Sequence, residues 1–180
     1  MSDDELIKGC IRENKYCQRA LYERFAGKMM SVCIRYTRHR LEAEDILQEG
    51  FIKIFNNISK FQHKGSLEGW IRRIMINTAL SNYNKSSFQK ELIGIEDYQS
   101  GTEEPKAIQQ LTADEIMAVI NTLPDGYKIV FNLYVIEEYN HGEIAEMLDI
   151  TPSTSRSQLV KARRMLQKKI ILLREAGLNR

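Results

Sequence analysis

The chain has 180 residues, 43% hydrophobic and 28% charged, an ordinary soluble globular composition that suits one or two domains. Ten glycines and three prolines exclude collagen-like and low-complexity chains, and no apolar run approaches the roughly 18 residues of a membrane span. The opening Ser2-Asp3-Asp4-Glu5 is acidic where a secretory leader would be basic, so a cytoplasmic protein without membrane insertion is expected.

The net charge of +2 conceals strong blocks. Residues 1–90 carry 16 basic and 10 acidic side chains, and residues 151–180 carry 8 and one. Between them, residues 91–125 hold one basic against 8 acidic, and residues 126–150 one against 5. Two cationic segments therefore flank an anionic one. Such segments suit either phosphate binding through counterion release or plain solvated helix faces.

Helical periodicity runs through most of the chain. Leu21, Phe25, Met29, Val32, Cys33 and Tyr36 keep the three-and-four spacing of a buried stripe. After a break at His39-Arg40, a second stretch from Leu41 to Phe55 offers Ile46, Leu47, Phe51, Ile54 and Phe55 as its inner side. Residues 56–66 are polar, contain Gly65 and read as a loop. Ser66 then caps a helix predicted from Leu67 to about Tyr83, which carries Trp70, Ile71, Ile74, Met75 and Ala79. Residues 86–110, polar and acidic with Gly94, Gly101 and Pro105, read as a flexible linker with a short ordered segment near Leu92–Tyr98. Periodicity resumes from Leu111 to Leu123, breaks at Pro124-Asp125-Gly126, and continues from Tyr127 to Val135. The expected architecture is all-α, with two helical domains at 1–85 and 111–180.

Cysteine and histidine point to no chemistry. Cys10, Cys17 and Cys33 contain no C-x-x-C pair and read as small buried hydrophobes. His39, His63 and His141 lack metal-ligand spacing, and there is neither a phosphate loop nor a nucleophile elbow. No cofactor, metal or catalytic residue is expected.

The sharpest local signal is GEIAEMLDITPSTSRSQLVKARRMLQ, residues 142–167. Glu143–Leu148 forms a short helix, Asp149-Ile150-Thr151 a turn, and Thr151 followed by Pro152 opens a longer cationic helix. That order describes a helix-turn-helix, with small Ala145 where the two helices cross. On the second helix Ser155, Leu159, Ala162 and Leu166 form the inward stripe. Ser153, Ser157, Val160 and Arg164 then point outward, flanked by Arg156 and Lys161. Arg156, Ser157 and Lys161 suit base edges or phosphates, and Val160 suits a thymine methyl.

In AEDILQEGF, residues 43–51, Asp45, Gln48 and Glu49 sit three and four apart on one helix face, an acidic patch suited to a protein partner. In SLEGWIRRIMIN, residues 66–77, Trp70 stands among Arg72, Arg73 and Asn77. That grouping equips a surface to stack unpaired bases, although a lone tryptophan suits a core equally well.

In this order the motifs resemble the extracytoplasmic-function (ECF) sigma factors of bacterial RNA polymerase, sigma-70 group IV. AEDILQEGFIKIF is similar to region 2.2, which binds the clamp helices of the polymerase β′ subunit. KFQHKGSLEGWIRRIMINTAL is similar to regions 2.3 and 2.4, which melt and read the minus-ten element. The segment from Leu123 to Leu166 resembles region 4, which reads the minus-thirty-five element. The resemblance implies that Asp45, Gln48 and Glu49 contact core polymerase. It implies that Lys64, Ser66, Trp70, Arg73 and Asn77 line the path of the minus-ten strand. Arg156, Ser157, Val160 and Lys161 would face the minus-thirty-five groove. The implied partners are core RNA polymerase, through its β′ clamp helices and β flap, promoter DNA, and an anti-sigma factor. Many relatives carry valine where Ser155 stands, and TPSTSRSQL resembles sigma factors of the Bacteroidetes. Such a protein is not an enzyme. The rival reading is a helix-turn-helix regulator that binds duplex operators without polymerase.

Overall fold

The computed structural model describes residues 1–93 and 113–178, with side chains for 1–83 and 115–173. The chain divides into two units, Met1–Gly94 and Ile95–Arg180. Among the described residues every regular element is helical, so the all-α expectation holds.

The first unit contains α1 (Asp3–Ile11), α2 (Lys15–Tyr36), α3 (Arg40–Asn57), a 3-10 turn (Ile58–Lys60) and α4 (Leu67–Ile93). Helix α1 was not anticipated, although Ser2 and Glu5 announce it. The Ser2 hydroxyl accepts from the Glu5 amide at 3.3 Å, and the Glu5 carboxylate accepts from the Ser2 amide at 2.7 Å. Those bonds hold the Glu5 carboxyl below its ordinary pKa. Helix α2 begins six residues before Leu21, because Asn14 Oδ1 accepts from the amides of Tyr16 and Cys17. All six residues of its predicted stripe are buried. On α3, Ile46, Leu47, Phe51 and Ile54 are buried, while Phe55 is only half-buried.

Gly50 lets α3 and α4 approach closely, since a side chain there would collide with the fully buried Met75. Lys53 joins the same two helices, pairing with Glu49 at 2.7 Å and donating to Thr78 Oγ1 at 3.3 Å. Helix α4 continues ten residues past the predicted end at Tyr83, since no glycine or proline interrupts the chain before Gly94. The remainder of the expected linker, 94–110, lies outside the described residues.

The second unit contains α5 (Ala113–Asn121), α6 (Asp125–Phe131), a π-helical turn (Asn132–Ile136), α7 (His141–Leu148) and α8 (Pro152–Leu178). Val119, Ile120 and Leu123 pack on Ala162 and Leu166 of α8, with Tyr127, Phe131 and Met165 at the margin. Pro124 caps α6, so Asp125 and Gly126 lie inside the helix rather than in the predicted break. The π-turn was not expected. It closes the helical run that had been predicted to end at Val135.

Candidate interaction surfaces

The helix-turn-helix is the best-defined local structure. Asn140 caps α7 by accepting from the Gly142 and Glu143 amides, while Glu143 accepts from the Asn140 amide at 2.8 Å. Helix α7 ends at Asp149 in the left-handed region, φ 54°. Two residues later Thr151 Oγ1 accepts from the Thr154 amide at 3.0 Å and starts α8. The predicted inward stripe of Ser155, Leu159, Ala162 and Leu166 is buried throughout.

Residues Arg156, Ser157, Val160 and Lys161 are all exposed. At about 100° per residue they span an arc from Arg156 through Val160 and Ser157 to Lys161, with Ser153 and Arg164 inside it. Aromatic rings lie beside Lys161 at one end of the arc and beside Arg163 just past the other. Lys161 Nζ lies 5.9 Å from the Tyr127 ring centroid, while Arg163, close to Arg156 on the wheel, lies 5.8 Å from that of Tyr134.

Ser155 puts a hydroxyl on the inward stripe, where many relatives carry valine. Fully buried, it does not bond back to a carbonyl of its own helix; its Oγ lies 2.9 Å from His141 Nδ1 on α7. The His141 ring stacks on Tyr134, centroids 4.5 Å apart at 21°. Burial, then the charges of Arg156 and Arg163, hold its pKa below the ordinary histidine value. Sequence alone leaves His141 and Arg163 unmarked, because both meet Tyr134 across three elements and such contacts leave no periodic trace.

In the first unit, Asp45 and Gln48 are exposed on α3. Glu49 is half-buried and already engaged, accepting from Asn82 Nδ2 at 3.0 Å beside its pair with Lys53. The free face of α3 instead runs through Leu41, Asp45, Gln48 and Ile52, spaced four, three and four. Leu41 and Ile52, which had not been singled out, are 75% and 60% exposed, placing apolar contacts at both ends of a polar centre.

The loop before α4 turns through His63 at φ 54° and Gly65 at φ 100°. Lys64 and Ser66 are exposed, and the Ser66 hydroxyl accepts from the Gly69 amide at 3.0 Å, confirming the cap. Trp70 is half-buried, its ring 5.6 Å from Phe61, which also meets His63 at 4.8 Å. The tryptophan thus belongs partly to packing and partly to the surface. Arg73 and Asn77 follow it on one face of α4, both exposed. Together the loop and this face form an aromatic and cationic strip.

Cys10 and Cys33 are buried, as expected of packed thiols, whereas Cys17 is only half-buried. Among the described residues no group of three or more His, Cys, Asp and Glu side chains is placed to hold a metal ion. Nor is any described helix long and apolar enough to cross a membrane.

Comparison with known proteins agrees with this division. Residues 21–88 match the family Sigma-70 region 2, and residues 113–166 match Sigma-70, region 4. The chain is 30% identical to the ECF RNA polymerase sigma factor SigW of Bacillus subtilis, over 81% of this chain and 84% of that one. It is 26% identical to the ECF RNA polymerase sigma-E factor of Haemophilus influenzae, over 94% and 96%. A solved structure of sigma factor RpoE with the anti-sigma factor NepR from Bartonella quintana shares the fold. Its TM-score is 0.55 at 17% identity, covering 83% of this chain and 94% of that one. CnrH in complex with the cytosolic domain of CnrY gives 0.52 at 14%, covering 94% and 97%. With a region 2 unit and a region 4 helix-turn-helix in the order of its relatives, the chain belongs to the ECF sigma factors of bacterial RNA polymerase, proteins that are not enzymes.

Proposed function

We propose that this sigma factor reads the minus-ten element with its first unit and the minus-thirty-five element with the helix-turn-helix of its second. The observation that carries the reading is the α8 arc: a capped helix buries Ser155, Leu159, Ala162 and Leu166, leaving Arg156, Ser157, Val160 and Lys161 exposed on the side that would face a major groove. Arg156 and Lys161 donate to base edges or phosphates, Ser157 does either, and Val160 meets a thymine methyl.

The strip of Lys64, Ser66, Trp70, Arg73 and Asn77 takes the unpaired minus-ten strand. The half-exposed indole stacks on a base, and the cation and amides hold its backbone. The α3 face docks on the β′ clamp helices of core polymerase. There Asp45 and Gln48 supply polar contacts, Leu41 and Ile52 apolar ones, and Glu49 acts through its bonds to Lys53 and Asn82. The second unit meets the β flap, and the protein works in the cytoplasm, where an anti-sigma factor restrains it. The resemblance of TPSTSRSQL, residues 151–159, to sigma factors of the Bacteroidetes is what supports a source in that group.

The test is transcription of fragmented genomic DNA from the source by core polymerase with and without the chain, with mapping of RNA 5′ ends. New starts that share two upstream elements, weakened about tenfold by Trp70→Ala, are expected. Starts that do not depend on the chain would defeat the reading.

A further inference from the structure

His141 of α7 lies where four side chains from two other elements meet. Ser155 Oγ of α8 holds its Nδ1 at 2.9 Å, and Tyr134 of the π-turn stacks on its ring. The guanidiniums of Arg156 and Arg163 on α8 act on it electrostatically, and Arg163 also lies over Tyr134. On α7 itself, the Glu143 carboxylate turns back to the Asn140 amide. Both arginines are exposed and His141 is half-buried, so the cluster opens to solvent beside the α8 arc.

Two exposed arginines beside an imidazole favour an anion over the neutral or cationic alternatives. A hydroxyl also suits such a ring in both protonation states. It donates to an unprotonated Nδ1 and accepts from a protonated one, so the 2.9 Å contact survives titration and the ring gains charge without moving. Valine at position 155 would offer neither bond.

We propose that His141, Arg156 and Arg163 form a backbone-phosphate subsite at the edge of the groove-facing arc, and that duplex binding there takes up a proton on His141. The proposal rests on the reading that α8 lies on duplex DNA, and it involves no polymerase. In the free protein burial and the two guanidiniums resist the proton. A phosphate between them reverses the local field, so the bound ring titrates higher than the free one. Affinity therefore rises as pH falls through the bound value, and levels off below the free value.

The test is fluorescence anisotropy of the full chain on a duplex of about 20 base pairs at fixed low ionic strength. Between about pH 7.5 and pH 5.5 the wild-type affinity is expected to rise roughly three- to tenfold, within the roughly hundredfold that one fully linked proton allows over two pH units. His141→Gln keeps a donor and an acceptor but cannot titrate, and should lose that rise. Changing His39 and His63 to Gln together should preserve it. Circular dichroism confirms that each variant is folded. An equal rise in wild type and His141→Gln, or no duplex binding by the wild type at about pH 5.5, would overturn the proposal. A chain that shows the rise yet ignores core polymerase would keep the subsite and lose the polymerase reading.

Discussion

Two glycines in neighbouring helices have opposite reasons for lacking a side chain. At Gly27 of α2 an added methyl meets nothing within 4 Å, so Gly27→Ala should stabilise the first unit by up to about 1 kcal/mol. At Gly50 the same methyl meets buried Met75, and an overpacking cost of about 1–3 kcal/mol outweighs the propensity gain. Thermal melts should therefore move in opposite directions, and a parallel shift would refute the Gly50–Met75 account. The thiols divide in a similar way. Burial pushes Cys10 and Cys33 up to about 11, so half-buried Cys17 should be alkylated first, as peptide mass mapping would show. His141 adds a stability term of known sign. Its folded pKa is lowered, so its contribution is whole above the ordinary histidine pKa and is lost as pH falls through the lowered one. Acidification should consequently cost the wild type more melting temperature than it costs His141→Gln.

At the scale of elements, local signals carried the reading furthest. The cap at Thr151, proline at the first helical position and four inward residues all lie within sixteen residues, 151–166, so α8 could be oriented from sequence alone. Asn140 is the corresponding cap of α7, and Asn140→Ala should cost about 1 kcal/mol, seen as faster amide exchange confined to α7. Contacts between elements were illegible. Nothing in the spacing links Ser155 to His141 fourteen residues away, or Glu49 to Asn82 thirty-three away, and so Glu49 read as a free acid. Helix α1 was missed for a different reason. Its capping box was visible, but Leu6, Ile7 and Cys10 make too short a stripe for periodicity to register.

For the whole molecule, the charge blocks should set the response to salt. Each phosphate neutralised contributes about 0.9 to the slope of log affinity against log salt. Replacing Arg156 and Lys161 by alanine together should lower the slope for duplex DNA by roughly 2, whereas Ser157→Ala should leave it unchanged. The central claim, that the first unit presents a polymerase-docking face, needs no promoter for its test. Purified chain and sigma-free core RNA polymerase should co-elute from a sizing column, and Asp45→Arg, placed in the middle of the exposed Leu41–Ile52 stripe, should abolish the joint peak while leaving the helical content intact. Co-elution that survives the charge reversal would contradict the assignment of that face, and absence of any wild-type co-elution would contradict docking itself.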